Sequence, residues 1–104
     1  MAWLYLMAAG LFEIGWPVGF KLSQQGMKIG GIAIAIVCMA LSGWLLWLAQ
    51  RQIPIGTAYG VWTGIGGGGT FIIGVLFFGD ALTLGRALGV ALIVGGVVTL
   101  KLSH

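Results

Sequence analysis

Glu13 stands in the middle of an apolar stretch that runs from Met1 to Phe20. No charged side chain precedes it, and the next one, Lys21, lies about two helical turns further on. A segment this long and apolar lies in a bilayer, where a buried acid is costly unless it has partners and work. At helical spacing Leu6, Ala9, Gly10, Glu13, Trp16, Pro17 and Phe20 share one face. That face sets an indole and small residues beside the carboxylate. The plain structural alternative is a protonated acid that hydrogen-bonds a neighbouring helix. With no basic residue at its depth, an intramembrane acid more often marks a pathway for ions or protons.

Further along, other side chains could serve such an acid. Ser42 carries a small hydroxyl on a stripe with Met39 and Leu46, able to bond a carboxylate across helices. Spacing alone allows it equally to bond its own helix backbone. Tyr59, Trp62 and Gly66 share a face with Ile55, so a phenol and a second indole could line a cavity around Glu13. Glycine then occupies five of the six positions from Gly64 to Gly69. Each interior glycine weakens a helix by up to about 1 kcal/mol relative to alanine, so a bend or hinge at Gly64 and Gly66 is expected, compatible with close packing. The same letters spell G-x-G-x-x-G, but no strand precedes them and no acid follows at the ribose position, so a dinucleotide site is excluded. Nothing implies a cofactor, a metal or an enzymatic reaction. Trp44 and Trp47 read as interfacial or lipid-facing anchors.

The elements that must position these groups follow from composition. Of 104 residues, 60% are hydrophobic and 7% are charged, against about a quarter charged in soluble domains. The chain therefore reads as a multi-pass protein of the cell (inner or plasma) membrane. Five basic and two acidic side chains give a net charge of +3 without a basic patch, which argues against nucleic acid. Cys38 is alone, so no intrachain disulfide forms. About 20 helical residues span the hydrocarbon core. Four segments fit, at 2–22, 29–49, 55–78 and 84–102, with charge and turn residues gathered in the breaks. The breaks are short, so the helices form one antiparallel bundle in a single domain over 1–104. Lys21, Lys28 and Arg86 then fall on one side of the membrane, and Arg51 and Lys101 on the other. This balance is a weak orientation signal and is compatible with insertion both ways. Four short helices enclose a polar cavity poorly, and an antiparallel partner chain would supply a second Glu13. The last helix has Gly85, Gly89, Leu92 and Gly96 on one stripe, a small-x-x-x-small contact surface suited to dimerisation.

Glu13-Ile14-Gly15-Trp16, Ser42 and the block from Pro54 to Gly66 together resemble the small multidrug resistance transporters. The resemblance covers all four helices. Trp16 and Trp62-Thr63-Gly64-Ile65-Gly66 resemble the guanidinium-exporter subgroup, whereas the polyaromatic-cation subgroup typically has a small residue in place of Trp16. The resemblance implies an antiparallel homodimer that exchanges protons for guanidinium-type cations. It also implies that Glu13 binds proton or substrate, that Trp16 and Ser42 hold the carboxylate, and that Tyr59 and Trp62 line the site. Gly89, Leu92, Ile93, Gly96 and Val97 match the family's dimer contact. Pro17 and the Gly66 to Gly69 run depart from the family pattern.

Guanidinium suits these residues chemically, because its planar fork of donors matches a carboxylate and its flat face stacks on indole or phenol. The alternatives are a proton-coupled exporter of quaternary ammonium or polyaromatic cations, a passive cation channel, and a non-transporting assembly subunit of a larger membrane complex. Dual topology gives a direct test. Two lysines added to the Arg51 loop are expected to orient every chain one way and to lower flux, with recovery on co-expression of an oppositely biased variant. Full activity from a uniformly oriented population excludes the antiparallel pair.

Overall fold

A computed structural model describes residues 1–103 of the chain; His104 lies outside the described residues. Four helices follow one another: α1 (Ala2–Gln24), α2 (Lys28–Ala49), α3 (Ile55–Phe77) and α4 (Leu84–Leu102). All four are long and apolar enough to cross a membrane. A helix of 23 residues is about 34 Å long, slightly more than the hydrocarbon core. Helix α1 runs two residues past the expected end, because Ser23 and Gln24 continue its last turn. There Ser23 Oγ donates to the Phe20 carbonyl at 2.6 Å. Pro17 lies inside α1, which remains helical on both sides of it.

The turns rest on residues that can take unusual backbone angles. Gly26, at φ +107°, lets the chain leave α1, and Gly79, at φ +73°, lets it leave α3. After Gly79 the chain doubles back, and the amide of Asp80 donates to the Gly74 carbonyl at 3.1 Å. Thr83 caps α4 by accepting from the Arg86 amide at 3.2 Å. Pro54 stands just ahead of α3.

Helix α1 is the centre of the molecule, packed against α2 along its length and against α3 on another side. Helices α2 and α3 barely meet, and α4 docks on the far side of α3. The result is a slab of 42 × 33 × 16 Å, not much thicker than a single helix of about 10–12 Å diameter. So thin a body encloses little. Leu6, Val61 and Ser42 are its largest fully buried side chains, and among the described residues α4 buries none. One end is closed by a cluster of Ala2, Leu6, Ala49, Ile53, Ala58 and Val61. Ile53, expected in a break between helices, is only 2% exposed and plugs that end. At the same end Arg51 lies 4.5 Å from the Trp47 ring and Lys101 Nζ 4.9 Å from the Trp3 ring.

Glycine sets the helix separation. A Cβ on Gly19 would meet the Gly31 carbonyl at 2.6 Å and the Ala35 amide at 2.8 Å. A Cβ on Gly31 would strike the backbone of Ser23 and Gly19. Backbone cannot swing aside as a side chain can, so Gly31→Ala must push α1 and α2 apart. Its neighbour Gly30 has only Met27 Cε, 3.7 Å away. Gly31→Ala is therefore expected to destabilise the fold by about 1–3 kcal/mol, the usual range for overpacking. Gly30→Ala should be neutral or mildly stabilising. Reversible unfolding in mixed micelles measures both, and equal stabilities would show that the close α1–α2 approach is not constrained there.

Candidate functional site: a carboxylate at the seam of α1 and α3

Glu13 leaves α1 toward α3, where the glycine run receives it. A Cβ on Gly66 would collide with Glu13 Cγ and lie 3.1 Å from Glu13 Cβ. Gly69 takes the next residue, Ile14, in the same way, and Gly10 of α1 takes Ile65 at 2.7 Å in return. The run is therefore a set of sockets on an unbroken helix, and α3 is helical throughout. Gly64 is a socket on the other side, filled by Val97 of α4.

Beside the carboxylate, three helices are joined by one hydroxyl. Trp62 Nε1 on α3 donates to Ser42 Oγ on α2 at 2.8 Å. Ser42 Oγ lies 2.7 Å from the Ala9 carbonyl on α1 and 3.5 Å from Glu13 Oε1. A hydroxyl has one proton, and the shorter contact takes it. Ser42 is thus committed mainly to Ala9, which leaves the Glu13 oxygens largely open as acceptors. Spacing left Ser42 between a carboxylate on a facing helix and its own helix backbone; its main partner is a third group, the Ala9 backbone carbonyl across helices, with Glu13 Oε1 at 3.5 Å.

Glu13 borders a cavity of about 290 Å³, lined also by Trp16, Pro17, Thr63, Gly66, Gly67 and Thr70. That is close to the lower end of the roughly 300–1,000 Å³ common for small-molecule sites. Trp16 is half-buried on its wall, with its ring edge-on to Phe20 at 5.6 Å and 79°. The indole bonded into the serine network is Trp62, while Trp16 offers the cavity an aromatic wall.

Of the expected site residues, Glu13 and Trp16 share the cavity, and Ser42 and Trp62 stand behind the carboxylate. Tyr59 does not reach it. Its ring packs on Trp62 at 5.4 Å, and it is 56% exposed on an apolar groove of about 730 Å³ between α3 and α4. Leu92, Ile93, Gly96 and Val97 line the same groove. Val97 and Ile93 pack on Gly64 within the chain, whereas a Cβ on Gly89 or Gly96 would meet no other element within 4 Å among the described residues. Thr63, Thr70 and Pro17 complete the Glu13 cavity. The two threonines could have been found in the sequence, since Thr63, Gly67 and Thr70 form a helical stripe of their own.

The chain has relatives along nearly its whole length. The family model described as Small Multidrug Resistance protein matches residues 1–93. The chain belongs to the small multidrug resistance family. Over 103 residues it is 44% identical to a protein of Yersinia pseudotuberculosis named Guanidinium exporter, with 99% of each chain covered. It is 42% identical to one of the same name from Salmonella typhimurium, covering 99% of this chain and 98% of that relative. As a small multidrug resistance protein with four spanning helices, it is a multi-pass membrane transport protein.

The glycine sockets give the site a sharp test. In Gly66→Ala the new methyl would displace the Glu13 stem, whereas a Cβ on Gly68 meets only Val94 Cγ2 at 3.8 Å. Gly66→Ala is expected to force α1 and α3 apart at Glu13 and to destabilise the fold by about 1–3 kcal/mol, the usual range for overpacking. Gly68→Ala, buried but with ordinary van der Waals room for a methyl, should change stability by less than about 1 kcal/mol. Reversible unfolding in mixed micelles compares them, and equal stabilities would show that Gly66 does not constrain the seam beside the carboxylate.

Proposed function

We propose that this protein is a proton-coupled antiporter that exports guanidinium and small substituted guanidinium cations. It works as an antiparallel homodimer, with Glu13 of each protomer as the shared proton and substrate site. The observation that supports this reading is the open acceptor capacity of Glu13 in an aromatic-walled cavity. A carboxylate in apolar surroundings is stable only when something supplies the missing positive charge or hydrogen bonds. Guanidinium supplies both, with a forked pair of N–H donors for the two oxygens. The Trp16 ring walls the cavity and suits a flat cation stacked on its face. The names of the relatives agree with that substrate class.

Exchange follows from exclusion. Proton and cation both need the same oxygens, so one arrives as the other leaves. If the dimer changes its open side only when Glu13 is occupied, the two fluxes are opposed and coupled. The thin slab favours a partner chain, because a body 16 Å thick encloses little around Glu13 and one copy leaves the groove along α4 open. Gly89, Leu92 and Gly96, the open part of the α4 stripe, are where that partner packs in this reading. Gly64 and Gly66 are where α3 bends as the open side changes.

The deciding experiment is guanidinium uptake by purified protein in liposomes, with and without a pH gradient. Wild-type protein is expected to drive uptake with the gradient, and Glu13→Gln to abolish it, since the amide keeps size and hydrogen bonding but removes the charge. Wild-type flux from Glu13→Gln would sink the assignment. Flux that runs downhill and ignores the proton gradient would make the protein a passive channel.

A further inference from the structure

The seam between α1 and α3 continues beyond Glu13 toward the end where these two helices finish. The cavity around Glu13 and a second of about 200 Å³ share two walls, Pro17 and Thr70. Lys21, Gly74 and Asp80 border the second cavity on the far side. Asp80 is held there by the turn after α3, with its carboxylate against Gly74, where a Cβ would meet Oδ2. Glu13 and Asp80, the two acids of the sequence, thus stand at opposite ends of one row of cavities. Toward the other end of the slab Leu6 and Ile53 are buried in the apolar cluster, and Val61, also buried, backs a separate cavity of about 160 Å³.

Two groups at the junction lack ordinary partners. Thr70 Oγ1 is buried and, among the described residues, has no hydrogen-bond partner. A helical threonine usually bonds the carbonyl four residues back. Thr99 does so, donating to Gly95 at 2.7 Å, and Thr70 does not. Pro17 is the second case: it has no N–H, so the carbonyl of Glu13 loses the donor that residue 17 would bring. An unpaired hydroxyl is unfavourable in an apolar setting. A buried water with two to four polar partners is the usual remedy; both cavities are large enough for one, and the Thr70 hydroxyl, shielded as it stands, meets it by turning about its Cα–Cβ bond.

We propose that the Glu13 backbone carbonyl freed by Pro17 and the Thr70 hydroxyl hold water between Glu13 and the Lys21–Asp80 end, and that this water carries protons to and from the Glu13 carboxylate. The inference rests on reading Glu13 as a proton site. A proton leaving the carboxyl passes to a water oxygen, and that water gives one of its own protons onward toward the aqueous end. Thr70 accepts one hydrogen bond and donates another, with no net change in its charge. It is a positioning residue, acting on Glu13 through water.

Thr70→Val keeps the shape and removes the hydroxyl, while Thr70→Ser keeps the hydroxyl. In liposomes Thr70→Val is expected to lower maximal proton-driven guanidinium flux about tenfold, with the half-saturating concentration changed less than about twofold. Thr70→Ser should run near the wild-type rate. Full flux in Thr70→Val, or an equal loss in both variants, would overturn the relay. A second measurement does not depend on transport: Thr70→Cys in a Cys38→Ala background, treated with the water-soluble reagent 2-aminoethyl methanethiosulfonate. Thr70→Cys is expected to react, and Leu6→Cys in the apolar cluster at the other end to stay unmodified. A wild-type protein that moves no guanidinium defeats the transport reading, and Thr70→Cys then still decides whether the seam is wet. An unreactive Thr70→Cys overturns the water site whatever the protein transports.

Discussion

A single hydroxyl proton, that of Ser42, holds the arrangement of the first three helices. It goes to the carbonyl of Ala9 on α1, and the oxygen that carries it accepts the indole N–H of Trp62 on α3. In a helix the Ala9 carbonyl also receives the amide of the residue four positions on, which is Glu13. The serine is thereby tied to the turn of α1 that presents the carboxylate. Inside an apolar medium such a bridge is hard to break, because any freed group finds no water. The same constraint leaves the Glu13 oxygens short of donors, as the one proton cannot serve two acceptors equally. Structural order and an unsatisfied carboxylate come from the same bond.

Around that bridge the helices are packed by fit. Lipid tails are as apolar as leucine, so burying leucine between spanning helices gains little, and close backbone approach counts for more. Each main seam accordingly has glycine opposite something large or rigid. Gly19 and Gly31 face each other's backbone between α1 and α2, and Gly15 faces Cys38. Gly66 and Gly69 face Glu13 and Ile14 between α1 and α3, and Gly64 faces Val97 between α3 and α4. Such contacts hold helices together while keeping a thin profile, which explains how α4 can be docked without a buried side chain.

The four spans were legible because bilayer thickness dictates length and because charge collects where the chain leaves lipid. Glu13 and its stripe were legible because helical periodicity orders neighbours on one helix. Periodicity does not say which helix a face meets. Tyr59 and Trp62 share a face by spacing, yet in the packed molecule Trp62 turns to Ser42 while Tyr59 looks toward α4. The glycine run read as a weakness in α3, and its sockets became visible only with Glu13 and Ile14 set against it. Ile53 read as loop because its neighbours are polar, and only the helix ends converging on it make it core. In each case the missing information was the identity of a contact between distant segments.

An apolar slab with one open carboxylate has few stable ways to exist. Left charged and alone, Glu13 would bear a desolvation cost that no donor in its own chain fully offsets. A proton removes the charge, and a forked cation neutralises it and fills the acceptors. Those two occupied forms are the stable ones on this reading, and the bare form is the one that the slab disfavours. A transporter that crosses between its two openings mainly when occupied needs no separate gate for that rule, because the gate is the cost of leaving Glu13 bare. On the proposed antiport, coupling of proton to cation would be a property of where the acid was placed and of how few donors its neighbours spared for it.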